Sequence, residues 1–181
     1  MAEKITLEVN AATHTVTASP DEPLLYVLTN ELELKGPRFG CGLGQCGACS
    51  VLVDGVEVKS CVTPTASVIG KSITTLEGLP AYYAYRMNLS PAPELHPLQE
   101  AMIEEQAAQC GYCYNGQIIK GAELLLQTAE PTESQIRSAM NGHICRCGTY
   151  PRILSAIQRA ARAIAGEPVA ASLAAEETAD A

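Results

Sequence analysis

The stretch Gly40–Cys49, GCGLGQCGAC, carries two patterns at once. Gly42-Leu43-Gly44-Gln45-Cys46-Gly47 matches the G-x-G-x-x-G turn that holds a dinucleotide pyrophosphate, while Cys41, Cys46 and Cys49 stand at a metal-cluster spacing, C-x4-C-x2-C. Context decides between them. A dinucleotide turn follows a strand, opens a helix and wants an acidic residue at the end of the next strand. Here the segment before the loop reads as helical, and the segment after it, SVLVDG, reads as a strand running into a hairpin. No helix N-terminus is available to take a phosphate. The cysteines fit their surroundings better. Cys61, with eleven residues between it and Cys49, completes C-x4-C-x2-C…C, the spacing of plant-type 2Fe–2S ferredoxins. Gly40, Gly42, Gly44 and Gly47 let a short loop take positive φ values and close round a cluster, which aims backbone N–H groups at the sulfurs. A four-cysteine zinc site usually pairs two C-x2-4-C knuckles, and Cys61 has no such neighbour.

A second cysteine set lies downstream. Cys110-Gly111-Tyr112-Cys113 and Cys145-Arg146-Cys147 are separated by 31 residues, a gap that two helices would fill. Cysteines at helix N-termini favour the thiolate form that binds iron. Arg146 either offsets the charge of four thiolates or points into solvent. By itself C-x2-C…C-x-C leaves zinc open as well as iron. A thioredoxin-like C-x-x-C does not fit, because no parallel βαβ pattern surrounds it. His143, two residues before Cys145, invites a mixed His/Cys cluster of the Rieske kind. Four cysteines already suffice, and the Asn141-Gly142-His143 turn accounts for it.

Outward from these loops, the first half reads as β-rich. Ile5, Leu7 and Val9 alternate with polar residues, as do His14–Thr17, with a turn over 10–13. Residues 23–32 have helical spacing with Pro at a first-turn position, and Asp54-Gly55 between Ser50–Val53 and Val56–Cys61 is a two-residue hairpin signal. Ser72–Leu76 reads as a further strand. Residues 78–95, with three prolines and Tyr82, Tyr83 and Tyr85, read as a linker whose tyrosines either meet a partner or pack on the chain itself. The second half reads as four helices: 97–109, 117–127, a third opened by the capping-box pattern Thr132-Glu133-Ser134-Gln135, and a fourth from Pro151 to about 165. The expected division is 1–77, 78–95 as linker, 96–165 as a compact helical bundle, and 166–181 as a disordered acidic tail.

The 181 residues hold 47% apolar side chains but only 4% aromatics, with no Trp and one Phe. Small domains with few large side chains often need a staple, and eight Cys are available for it. The net charge of −8 and the lack of a basic patch argue against nucleic acid as a partner. MAEKITLEVN shows no secretion signal, and no apolar run is long enough to insert directly into a membrane. A cytoplasmic location is expected, where reduced thiols favour metal over disulfides, although a signal-bearing partner could carry the chain out.

Both cysteine sets in this order, on a β-rich half followed by a helical half, resemble the iron–sulfur subunit of the molybdenum hydroxylases, the xanthine oxidase family. The residues that carry the resemblance are CGLGQCGACSVLVDGVEVKSC at 41–61, QCGYCYNGQI at 109–118 and CRCGTYPRI at 145–153. It implies an α+β fold: an N-terminal plant-type ferredoxin-like (β-grasp) domain, then a four-helix-bundle 2Fe–2S domain. Cys41, Cys46, Cys49 and Cys61 would hold an outer cluster, and Cys110, Cys113, Cys145 and Cys147 an inner one. A separate large subunit would carry molybdopterin, in its cytosine dinucleotide form, and hydroxylate an aromatic N-heterocycle or an aldehyde with oxygen from water. The family's pterin contacts fall on Gln109 and the neighbourhood of Cys147; for Gln109 the alternative is an ordinary helix-end residue. Electrons would leave by the inner and then the outer cluster to a flavin subunit, a cytochrome c or a free mediator. The sequence looks most like nicotinate- or isoquinoline-type small subunits, with aldehyde oxidoreductases as the close alternative. It departs from the family's frequent CGFCTPGM, having CGYCYNGQ at 110–117. A zinc-stapled scaffold and an autonomous ferredoxin are the competing readings outside the family's role.

Overall fold

The structure, a computed structural model, describes residues 1–166; all of the segment expected to form a disordered tail except Gly166 lies outside the described residues. Strands β1 (Glu3–Val9) and β2 (Ala12–Ala18) pair antiparallel about a turn in which Asn10 and Ala11 both take positive φ. The alternation read from the sequence holds residue by residue: Ile5, Leu7 and Val9 are buried, and their neighbours on β1 face out. Strands β3 (Ser50–Val53) and β4 (Val56–Lys59) form the expected hairpin, closed by Asp54 and Gly55 at φ 51° and 82°, the two positive values a type I′ turn needs. Strand β5 (Ser72–Thr74) lies between the hairpins, parallel to β1 and antiparallel to β3, giving the order β2-β1-β5-β3-β4.

The helix expected over 23–32 is a short turn, α1 (Leu24–Tyr26), that widens into a π-helical turn at Val27–Glu31. The Thr29 hydroxyl donates to the Leu25 carbonyl at 2.9 Å, and Leu32 N–H reaches back five residues to Val27 O. A side-chain hydroxyl bonded to the preceding turn loosens the regular ladder, and the wider turn still buries Leu24, Val27 and Leu28 against the sheet.

The segment read as a linker contains a helix of its own, α2 (Leu79–Met87). Pro80 sits in its first turn, Asn88 in the left-handed region closes it, and Leu79, Tyr83 and Ala84 form its buried face. Of the three tyrosines, Tyr83 packs edge-on to His96 at 4.8 Å, Tyr82 accepts a hydrogen bond from Arg86, and Tyr85 is exposed.

Helix α3 (Pro97–Glu104) is opened by His96, whose Nδ1 accepts from Leu98 N–H, with Gln99 returning to the His96 N–H. It stops five residues short of the expected end, because Gln106 turns into the left-handed region at φ 46°. Gln109 and Cys110 therefore lie on a loop. Helix α4 (Tyr114–Gln127) starts three residues earlier than expected, directly after Cys113. Helix α5 (Glu133–Ala139) has the capping box read from Thr132 and Gln135, and α6 (Tyr150–Ile164) completes the bundle. Leu98, Met102, Ile119, Ile136 and Ile157 are almost fully buried at its centre, each contributing about 1.5–3 kcal/mol by leaving water.

The two halves share a wall. Leu52 of β3 belongs to the core of the helical half. At the sheet's β4 edge, Glu57 N–H donates to the carboxylate of Glu123 on α4, which Lys120 pairs at 2.5 Å.

Candidate metal centres

The loop 40–49 is built by backbone shape. Gly42, Gly44 and Gly47 have φ of 68°, 69° and 79°, and a Cβ on Gly40 would come within 2.6 Å of Cys46 Sγ. Free N–H groups point inward as a result. Leu43 and Gln45 N–H donate to Cys41 Sγ, and Cys41 N–H donates to Cys46 Sγ, all at 3.3 Å. Burial acts to raise the Cys41 thiol, but these donors and the neighbouring Cys46 thiol outweigh it and bring Cys41 down to about 7. Cys49 and Cys61 form the other half of the site. They are buried together under Leu25, and burial, with each thiol beside the other, pushes Cys49 up to about 12.

The second site repeats this division. Cys110 is exposed and Cys147 half-buried, with their sulfurs 3.4 Å apart. The Tyr112 N–H, followed by the Cys147 thiol, holds Cys110 below the ordinary thiol range. Inside, Cys113 precedes the first turn of α4, and burial together with the adjacent Cys145 pushes it up to about 12. For Cys145 burial acts upward too, yet the Thr149 hydroxyl at 3.3 Å, the Thr149 N–H and the Cys113 thiol bring it to about 7. Each site thus grades from more exposed thiols, Cys41 and Cys46 or Cys110, to buried ones, Cys49 and Cys61 or Cys145.

This donor set fits a two-iron cluster. All eight cysteines are free thiols. Four soft thiol donors at each site suit a two-iron, two-sulfide cluster. N–H groups already aimed at thiol sulfur are what stabilise thiolates there.

The structure also shows how the two sites meet. Ile144 N–H donates to Cys46 O at 3.0 Å, so a single hydrogen bond joins the main chain of Cys46 to the residue bonded to Cys145. His143 is almost fully buried and not merely a turn residue. Its Nε2 lies 2.9 Å from Lys59 Nζ and 3.3 Å from the Glu57 carboxylate, and its ring fills the space where Gly47 has no Cβ. Glu57 works against burial through His143, Lys59 and Ser50 and is held at about 2. Arg38 donates to Gly111 O at 3.1 Å and lies over the Tyr112 ring. Gln109 and Arg146 are exposed beside the Cys110–Cys147 pair. Sequence reasoning singled out the eight cysteines as the expected ligands. It missed Lys59, Glu57 and Asn115, whose partners lie 65 to 86 positions away.

Two family models match the chain, a 2Fe-2S iron-sulfur cluster binding domain over residues 7–71 and a second 2Fe-2S binding domain over residues 85–158. The chain is 50% identical over 161 residues to a nicotinate dehydrogenase subunit of Pseudomonas putida, covering 89% of this chain and 96% of that one. It is 49% identical over 148 residues to the alpha subunit of isoquinoline 1-oxidoreductase of Brevundimonas diminuta, covering 81% and 90%. Among solved structures, quinoline 2-oxidoreductase from Pseudomonas putida 86 superposes with a TM-score of 0.78 at 30% identity over 92% of this chain and 99% of that one. The aldehyde oxidoreductase from Desulfovibrio desulfuricans gives a TM-score of 0.80 at 37% identity over 91% of this chain, which spans 17% of that longer polypeptide.

Proposed function

The chain belongs to the small 2Fe–2S subunits of the molybdenum hydroxylases, and from that premise we propose how its own residues carry electrons between a molybdopterin subunit and an acceptor. As a member it is an electron-transfer subunit of an oxidoreductase complex and has a ferredoxin-like domain followed by a helical cluster domain. In our division these domains are 1–77 and 96–165, with α2 on the segment between them.

Cys41 with Cys46, and Cys49 with Cys61, would each take one iron of the outer cluster. Cys110 with Cys147, and Cys113 with Cys145, would do the same for the inner one. Bound there, the clusters supply one-electron chemistry. The chain's part is to hold the thiolates, to exclude water from one side of each site, and to join the sites by the Cys46–Ile144 hydrogen bond. That bond, between the two cysteine-bearing loops, is the observation that carries the proposal.

The open edge at Cys110 and Cys147 supports the placement of the molybdopterin subunit against the inner site, with Gln109 and Cys147 towards the pterin, in the cytosine dinucleotide form. The open edge at Cys41 and Cys46 suits an external acceptor, a flavin subunit or a cytochrome c. The substrate class favoured by the relatives' names is an aromatic N-heterocycle, with an aldehyde as the second choice. Among the described residues no helix is long and apolar enough to cross a membrane, and we place the complex in the cytoplasm.

The test is iron and acid-labile sulfide on the chain purified with its partner. Two 2Fe–2S clusters require about four of each per chain; zinc without labile sulfide would overturn the proposal. Gln109→Ala should keep both clusters and slow electron entry from the large subunit. Loss of iron in that variant would make Gln109 structural instead.

A further inference from the structure

The CGYCYNGQ stretch departs from the family's frequent pattern at four positions, and at three of them Tyr112, Asn115 and Gln117 stand for Phe, Pro and Met and make hydrogen bonds that those residues could not. Tyr112 Oη donates to Phe39 O at 2.6 Å, immediately before the outer loop. Asn115 Nδ2 donates to Ala48 O at 2.9 Å and to Ser50 O at 2.8 Å. Gln117 Nε2 donates to His143 O at 3.1 Å. Two of these three side chains flank Cys113, and their acceptors flank the outer-site cysteines.

Asn115 is the centre of the arrangement. It is 2% exposed on the first turn of α4, two residues from Cys113. Its two donor hydrogens take the carbonyls on either side of Cys49, so one amide brackets that ligand. The orientation is forced: a flipped amide would set its oxygen against two carbonyl oxygens. The oxygen instead lies buried with no partner, at a cost of about 1–3 kcal/mol.

We propose that Asn115, seconded by Tyr112, is a positioning residue that sets the inner site's Cys113 against the outer site's Cys49 and so fixes the coupling between the two clusters. The proposal rests on the cluster assignment above. It makes inter-cluster transfer in this chain depend on a polar clamp in addition to the Cys46–Ile144 bond.

The experiment uses the assembled complex with Asn115→Leu, Asn115→Gln and Tyr112→Phe. Leu and Gln both favour a helix more than Asn does, and Tyr112→Phe removes a single hydroxyl from a half-exposed ring. Iron and labile sulfide are measured first, then the magnetic splitting between the two reduced clusters, then the reduction of each cluster after mixing with substrate. We expect Asn115→Leu to keep about four irons per chain, to lose or alter the splitting, and to slow outer-cluster reduction on the order of tenfold while inner-cluster reduction is unchanged. Asn115→Gln should restore part of the splitting, and Tyr112→Phe should shift it in the same sense by less. Unchanged splitting and unchanged outer-cluster reduction in Asn115→Leu and Tyr112→Phe would overturn the proposal. So would iron loss in Asn115→Leu accompanied by no shift in Tyr112→Phe. Absence of two cluster signals in the unaltered complex would instead refute the cluster assignment on which it rests.

Discussion

At the scale of single residues, His96 is a buried group that responds to acid. Burial holds it at about 4 against an ordinary 6.5, and it caps α3 through an unprotonated Nδ1. Because the folded value is depressed, the unfolded chain binds more protons between these two pH values. The stability contributed by neutral His96 is therefore full above pH 6.5, falls as pH drops toward 4 and is lost below it. Glu57, held at about 2 against 4.5, adds a second loss at lower pH. Asn is a good neutral N-cap, so His96→Asn should flatten the fall of the unfolding midpoint between pH 6.5 and 4 relative to the unaltered chain. An identical pH profile would show that the His96 proton does not matter to folding. None of this was legible in the sequence, where His96 stands before a proline like any N-cap; its burial comes from Tyr83, in the segment read as a linker.

At the scale of elements, the first turn of α4 decides how the halves fit. A Cβ on Gly116 would lie 2.0 Å from Gly47 O, a backbone atom that cannot move without shifting the outer loop. Gly116→Ala gains at most about 1 kcal/mol of helix propensity, against about 1–3 kcal/mol for overpacking. We expect a lower unfolding midpoint and an altered outer-cluster spectrum. A raised midpoint would mean that the helix does not press on the loop. The elements themselves were readable wherever the signal was local: strand alternation at Ile5, Leu7 and Val9, the Asp54-Gly55 turn, and the Thr132–Gln135 capping box. They were misread where the deciding contact was distant or a single residue's backbone intervened. The Tyr-rich helix α2 was hidden by Pro80 in its first turn and by the prolines after it, α3 was shortened by the left-handed turn at Gln106, and the turn after α1 was widened at Thr29. The parallel pairing of β1 with β5 leaves no local trace, since their partner residues are more than sixty positions apart.

At the scale of the molecule, the eight cysteines and their order were enough to place both candidate sites, because cluster spacing is written in a few nearby residues. What joins the sites was not legible, because it depends on which helix turn faces which loop. Cys113→Ser should lower iron from about four to about two per chain, leave the outer-cluster spectrum in place, and stop turnover with an acceptor that draws on the outer site. Sustained turnover with that acceptor would break the relay. The junction has another consequence, at the β4 edge where Glu57 N–H is covered by Glu123 of the helical half. Cut free of residues 96–165, the ferredoxin-like half would present that strand uncovered, with Leu52 exposed beside it. A bare strand edge of this kind recruits other strands, so the severed half should come out of solution as aggregates, where a self-sufficient ferredoxin would stay dispersed.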